Sequence, residues 1–126
     1  MNIEQAIKDF HIKYQLEYSG PPRELPEDLQ LFRVKFLAEE LGEYIEAIQE
    51  KNLEKQFDAL IDLVYVAVGT AYLQGFPFNK GFELVQAANM LKIRVNRESD
   101  SKRGSVYDVV KPEGWTAPDL KPLIKE

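Results

Sequence analysis

Residues 57–68, Phe57-Asp58-Ala59-Leu60-Ile61-Asp62-Leu63-Val64-Tyr65-Val66-Ala67-Val68, constrain this chain more than any other stretch. The run is apolar, yet Asp62 sits between Ala59, Leu60 and Ile61 on one side and Leu63, Val64 and Tyr65 on the other. An ionised carboxylate in such a run is costly unless it is paired or bound to a metal. Leucine would be more stabilising at position 62, so Asp62 reads as retained for chemistry. The run belongs to a helix expected over Leu53–Leu73, capped by Asn52 and closed by Gly75. Apolar almost all round, that helix should be central and buried. Asp58 and Asp62 are one turn apart on a face shared with Tyr65, Val66 and Gly69. A mid-helix Gly69 costs roughly 1 kcal/mol relative to Ala, which fits close approach of another helix or of a ligand.

The preceding helix is expected from Pro26 or Glu27 to about Lys51, with Pro26, Glu27 and Asp28 suiting its N-terminus. Leu29, Phe32, Phe36, Leu37, Leu41, Tyr44, Ile45 and Ile48 form its apolar side. At about 100° per residue, Glu39, Glu43, Glu46 and Glu50 fall on one stripe, with Glu40 at its edge turned inward. Only Arg33 and Lys35 are basic between Glu27 and Glu50, so the acids have few partners within the helix. Glu46 and Glu50 read as a solvated acidic face, and Glu40 does not. The Lys51-Asn52 turn is short, so the two long helices should pack antiparallel. Glu43 precedes Asn52 by about as many residues as Asp62 follows it, which gathers Glu40, Glu43, Asp58 and Asp62 around one point.

Around this pair, Asn2–Glu17 reads as a first helix with Ile3, Ala6, Ile7, Phe10 and Tyr14 on one face. His11, the one histidine, reads as a polar residue near a helix end or a partner contact. Residues 19–26, rich in Gly and Pro, read as a loop or an ordered arm on the body. A fourth helix is expected from about Lys80, capped by Asn79, to Arg94. Residues 98–104 read as a loop, Val106–Val110 as a short strand, and residues 111–126 as an irregular tail in which Pro118-Asp119-Leu120 starts a last helical turn. Trp115 needs the body or another subunit to pack on. The expectation is one all-α domain over residues 1–126, a four-helix bundle-type subunit whose long antiparallel pair carries the acids.

Composition narrows the function. A net charge of −5 argues against a nucleic-acid surface. With no cysteine and one histidine, disulfides, thiolate sites and a zinc site are excluded. Met1–Ile12 has no apolar signal segment, and the stretch 59–73 carries Asp62 and is short for a membrane span. A cytoplasmic protein without membrane partners is expected. A di-iron bundle uses Glu-x-x-His pairs, and none occurs here. Carboxylates from two facing helices describe an all-oxygen site suited to Mg2+ or Mn2+. Such an ion polarises a phosphoryl oxygen, and a basic residue such as Lys92 would neutralise phosphate charge. The residues thus point to metal-assisted hydrolysis of a phosphoanhydride. Tyr65, Phe36 and Trp115 read first as core residues, with stacking on a base as the alternative.

Glu39-Glu40-Leu41-Gly42-Glu43 followed by Asp58-Ala59-Leu60-Ile61-Asp62-Leu63-Val64-Tyr65-Val66 resembles the all-α nucleoside triphosphate pyrophosphohydrolases. That superfamily includes MazG proteins, dimeric dUTPases and phosphoribosyl-ATP pyrophosphohydrolases. Gly69-Thr70-Ala71, Asn89-Met90-Leu91-Lys92 and Pro118-Asp119-Leu120 are most similar to its MazG-like branch. The resemblance implies that Glu40, Glu43 and Asp62 bind Mg2+, with Glu39 assisting the metal or the attacking water. It implies that Asn89 and Lys92 contact substrate, and that the chain forms a homodimer or homotetramer. It implies the reaction NTP or dNTP plus water to NMP or dNMP plus diphosphate. One position departs from the pattern: Ala59 stands where the superfamily has Glu, with Asp58 beside it. Two alternatives stay open, a phosphoribosyl-ATP-type enzyme and a catalytically silent helical binding module.

Overall fold

The structure is a computed structural model that describes residues 1–125. It contains helices α1 (Ile3–Lys13), α2 (Glu27–Gln49), α3 (Leu53–Leu73) and α4 (Phe78–Asn89), with strands β1 (Ile93–Arg94) and β2 (Val109–Val110). Single turns of 3-10 helix lie at Glu98–Asp100 and Lys121–Leu123. The fold is all-α with an irregular C-terminal tail, as expected. The described residues divide into two compact units, residues 1–78 with 124–125 and residues 79–123.

In the first unit α2 and α1 each pack against α3. Asn52 Oδ1 accepts from Lys55 N at 3.0 Å and starts α3 where expected. The helix ends are closed by paired bonds around a left-handed residue. Gly75 (φ 73°) donates to Tyr72 O while Phe76 N donates to Ala71 O. Gln15 and Lys51 play the same part at φ 58° and 55°, with Leu16 N bonded to His11 O and Asn52 N to Ala47 O. This closure ends α1 at Lys13, four residues before the expected Glu17.

The loop after α1 is an ordered arm tied to the end of α3. Tyr18 N donates to the Tyr72 hydroxyl at 2.9 Å, and Arg23 Nε donates to Leu73 O at 3.0 Å. Gly75 faces this arm, and a Cβ there would stand 2.9 Å from Pro21 O.

Which side of α2 is packed differs from the apolar periodicity. The buried residues of α2 are Arg33, Glu40 and Ala47, spaced by seven. Phe32, Leu41, Ile45 and Ile48, expected as core, are about half exposed in the single chain. Nor is α3 buried all round: Ala59, Val66, Val68, Gly69 and Leu73 are buried, whereas Phe57, Leu60, Ile61 and Val64 face outward. By length and composition α3 would also suffice to cross a membrane.

His11 lies in the last turn of α1, near the helix end as expected, and it is buried. It is 3% exposed, with Nδ1 2.7 Å from Ile7 O and its ring 4.6 Å from that of Tyr72. A carbonyl only accepts, so Nδ1 carries the proton. Gly69 makes room for this packing: a Cβ would lie 2.8 Å from Arg33 Nη2 and 3.3 Å from His11 Cε1. The close approach expected at Gly69 is that of side chains from α2 and α1.

In the second unit α4 ends at Asn89, short of the expected Arg94. The turn tightens, with Leu91 N bonded to Ala88 O and Lys92 N to Asn89 O. Ile93 and Arg94 then extend to pair antiparallel with Val110 and Val109. Trp115 packs within this unit, its indole Nε1 donating to Ala88 O at 2.7 Å. Asp119 Oδ1 accepts from Lys121 N at the start of the last turn.

Candidate acidic site on the long helix pair

The antiparallel register is set by a few polar contacts. Arg33 Nη2 donates to Val66 O at 2.8 Å and Nε to Thr70 Oγ1 at 3.0 Å, while Thr70 Oγ1 donates to the same Val66 carbonyl. Nearer the turn, Gln56 Nε2 reaches Ala47 O at 3.4 Å. Between these clamps, two turns from Arg33 on α2 and one turn before Val66 on α3, lie Glu40 and Asp62.

Glu40 is 7% exposed, and its Oε2 is buried with no hydrogen-bond partner among the described residues. Carboxylate oxygens of Glu39, Glu40 and Glu43 lie within 4.8 Å of one another. Burial, then a hydrogen bond shared with Glu43 and the charges of Glu43, Asp62 and Glu39, push the Glu40 carboxyl up to about 7. Burial also raises Asp62, followed by the charges of Asp58 and Glu43 and a hydrogen bond with Asp58. The two helices therefore bring Glu39, Glu40, Glu43, Asp58 and Asp62 into one electrostatic neighbourhood. Repulsion is offset there by taking up protons or by a cation.

Beside them opens a cleft of about 290 Å3 lined by Glu43, Glu46, Ala47, Glu50, Lys55, Asp58 and Ala59. Lys55 pairs with Glu50 at 3.1 Å, but both side chains are more than half exposed. Such a pair is worth at most about 1 kcal/mol and leaves the inner acids uncompensated. Ala59 is buried under this cleft, so the vacant Glu position of the superfamily pattern is filled by packing, with exposed Asp58 alongside.

The donor set fits a hard divalent cation. It is all carboxylate oxygen, it includes a buried unpartnered oxygen, and among the described residues no Arg or Lys pairs with Glu40 or Asp62. Glu39, Glu40 and Glu43 are the residues whose carboxylate oxygens lie close enough together to share a cation, with Asp62 in the same electrostatic neighbourhood.

Tyr65 stands apart from this cleft. Its ring meets Phe10 edge-on at 5.4 Å, and it borders an apolar cleft with Met1, Ile3, Phe57 and Ile61. Asn89 and Lys92 belong to the second unit, at the end of α4, where Lys92 Nζ lies 5.3 Å from the Trp115 ring. Buried Arg33 and His11, which organise α1, α2 and α3, were not foreseen. Gly69 and Thr70 were the available signal.

No curated protein matches the chain. A family model described as phosphoribosyl-ATP pyrophosphohydrolase matches residues 7–89, about two thirds of the sequence. The matched span runs from Ile7 within α1 through α2 and α3 to the end of α4 at Asn89, and it includes every acid of the site. The chain is therefore a pyrophosphohydrolase acting on a phosphoanhydride bond of a nucleotide, within the MazG-like superfamily. It belongs to the phosphoribosyl-ATP pyrophosphohydrolase family.

Proposed function

We propose that the protein is a divalent-metal-dependent hydrolase that converts a nucleoside or deoxynucleoside triphosphate to the monophosphate and diphosphate. The observation that carries this reading is the buried, unpartnered Glu40 Oε2 set among Glu39, Glu43 and Asp62. Stability alone would place an amide or an apolar side chain there.

Glu40, Glu43, Asp62 and Asp58 would hold Mg2+, or Mn2+ in its place, and such an ion would supply neutralisation of phosphate charge and a lowered pKa for water. Glu39, exposed at the edge of the cluster, orients the attacking water and accepts its proton. The water oxygen bonds to the α-phosphorus while the α–β bridging oxygen departs on diphosphate, so one P–O bond forms and one breaks. Asn89 and Lys92 contact the substrate's phosphates, and Tyr65, whose ring is partly exposed, contacts the base. We treat residues 1–126 as one functional domain, since the family match continues from the first unit into the second as far as Asn89.

A homodimer or homotetramer completes the protein. Phe32, Leu41, Ile45, Phe57 and Ile61 are 48–67% exposed on α2 and α3. Exposed apolar patches of this kind favour association, and the occupant we assign is a second copy laying its own helix pair on this face. The assembly is cytoplasmic, without nucleic acid or membrane as partner.

The description of the matched family favours a second substrate, phosphoribosyl-ATP. The test is diphosphate release from a panel of nucleoside triphosphates and from phosphoribosyl-ATP, with Mg2+, with Mn2+ and with chelator. Release from triphosphates only with a divalent ion is the expected result. Release from phosphoribosyl-ATP alone transfers the assignment to the second reading, and metal-independent release removes the role given to the acids.

A further inference from the structure

The second unit has the opposite charge balance from the first. Residues 79–123 carry eight Lys and Arg against six Asp and Glu, net +2, in a chain of net −5. Their cations converge on a cleft of about 520 Å3 lined by Lys92, Lys102, Arg103 and Lys111, with Asp100 and Asp108.

The two acids are already committed. Asp108 accepts from Ser101 Oγ at 2.6 Å and from Val109 N at 2.8 Å, and it pairs with Arg103 at 3.5 Å. Asp100 pairs with Arg97 at 3.4 Å. Asp108 also feels the charge of Lys92, so Lys102 and Lys111 are the lining cations for which the cleft's two acids are not engaged.

Two of these lysines are forced together by the backbone. Ile93 pairs with Val110 and Arg94 with Val109, so Lys92 and Lys111 occupy the next facing positions of the same register. Like charges at facing positions oppose strand pairing. Both ammonium groups lie against one indole, Lys92 Nζ 5.3 Å and Lys111 Nζ 5.1 Å from the Trp115 ring. Cation–π attraction offsets part of the repulsion. The ring is itself fixed through its Nε1–H bond to Ala88 O. A preorganised set of cations around a cleft attracts an anion of matching charge. The lining holds four cations, Lys92, Lys102, Arg103 and Lys111, against Asp100 and Asp108, and at about 520 Å3 the cleft exceeds the size of a single phosphate group.

We propose that Lys102 and Lys111, with Lys92 beside them, form a diphosphate-binding cleft within the C-terminal unit. The choice of diphosphate rests on the proposed reaction, which releases it. The binding itself is measured without turnover, so failure of the cleft and failure of the hydrolase reading are distinguishable.

Trp115 is the sole tryptophan and reports on the cleft. Diphosphate is titrated into the full-length protein with chelator present, followed by indole fluorescence and, in parallel, by calorimetry. Saturable binding is expected, weakening as salt rises, with a nucleoside monophosphate at least tenfold weaker. Losing a hydrogen bond to a charged group weakens binding by about tenfold or more, so Lys102→Gln with Lys111→Gln should cost about a hundredfold. Lys80→Gln should bind as the wild type does. Thermal unfolding checks that the double variant folds, and relief of the Lys92–Lys111 opposition should leave it no less stable. Absence of saturable binding, equal affinity in the double variant, or a monophosphate bound as tightly as diphosphate would each overturn the proposal.

Discussion

Replacing Glu40 by Gln tests whether the acidic site is held against the stability of the fold. The Glu40 carboxyl is pushed from an ordinary 4.5 up to about 7, first by burial and then by Glu43. A raised carboxylate binds its proton more tightly in the folded state than in the unfolded one. Its contribution to stability is therefore fully present below about 4.5 and is lost as pH rises through about 7. At about 1.4 kcal/mol per pH unit, the full window is a ceiling of roughly 3 kcal/mol. The adjoining cleft is open to solvent, and screening reduces this to about 1–2 kcal/mol, or several degrees of melting temperature. Thermal unfolding without divalent ions at pH 5, 7 and 8.5 should show the wild type losing stability across the series. Glu40→Gln should change far less and exceed the wild type at pH 8.5. Millimolar Mg2+ should restore the wild type at pH 8.5 and leave the variant nearly unmoved. Parallel pH curves for the two proteins would refute the reasoning, because Glu40 would then carry no excess burial or repulsion.

Asp62→Asn should abolish hydrolysis while melting at or above the wild-type temperature, since it removes a partly buried like charge; calorimetry beside a diphosphate-release assay checks both. Arg33→Ala should lose about 2–4 kcal/mol in denaturant unfolding, because it vacates a buried volume and strips a donor from Val66 O and Thr70 Oγ1. Ile61→Lys, at an outward position of α3, should shift the assembly to monomer in sedimentation, and an unchanged mass would remove α3 from the interface.

The parts of the fold legible in the sequence are those where one residue dictates the backbone. Asn52 and Gly75 mark the two ends of α3, and the structure places both as expected. The inward turn of Glu40 follows from helical phase alone. The ends of α1 and α4 were not legible. Gln15 takes a left-handed conformation that residue type favours only in Gly or Asn, and the strand-forming residues after Lys92 find their partners far along the chain at Val109 and Val110. Apolar periodicity identified the side chains of α2 that need covering, but it carries no record of which surface covers them. Within one chain the packed line is instead Arg33, Glu40 and Ala47. Arg33 and His11 were missed for a related reason. Their burial depends on a space at Gly69 and on carbonyls at Val66 and Ile7, features of the assembled helices and not of any local motif.

The central claim is that Glu40, Glu43 and Asp62 hold a divalent ion for hydrolysis of a nucleotide phosphoanhydride. Its most direct test is diphosphate release from nucleoside triphosphates by the wild type and by Asp62→Asn, each across a Mg2+ titration. Release that rises with Mg2+ in the wild type and is lost in a folded Asp62→Asn is the predicted result. Full activity in Asp62→Asn, or release unaffected by chelator, would contradict it.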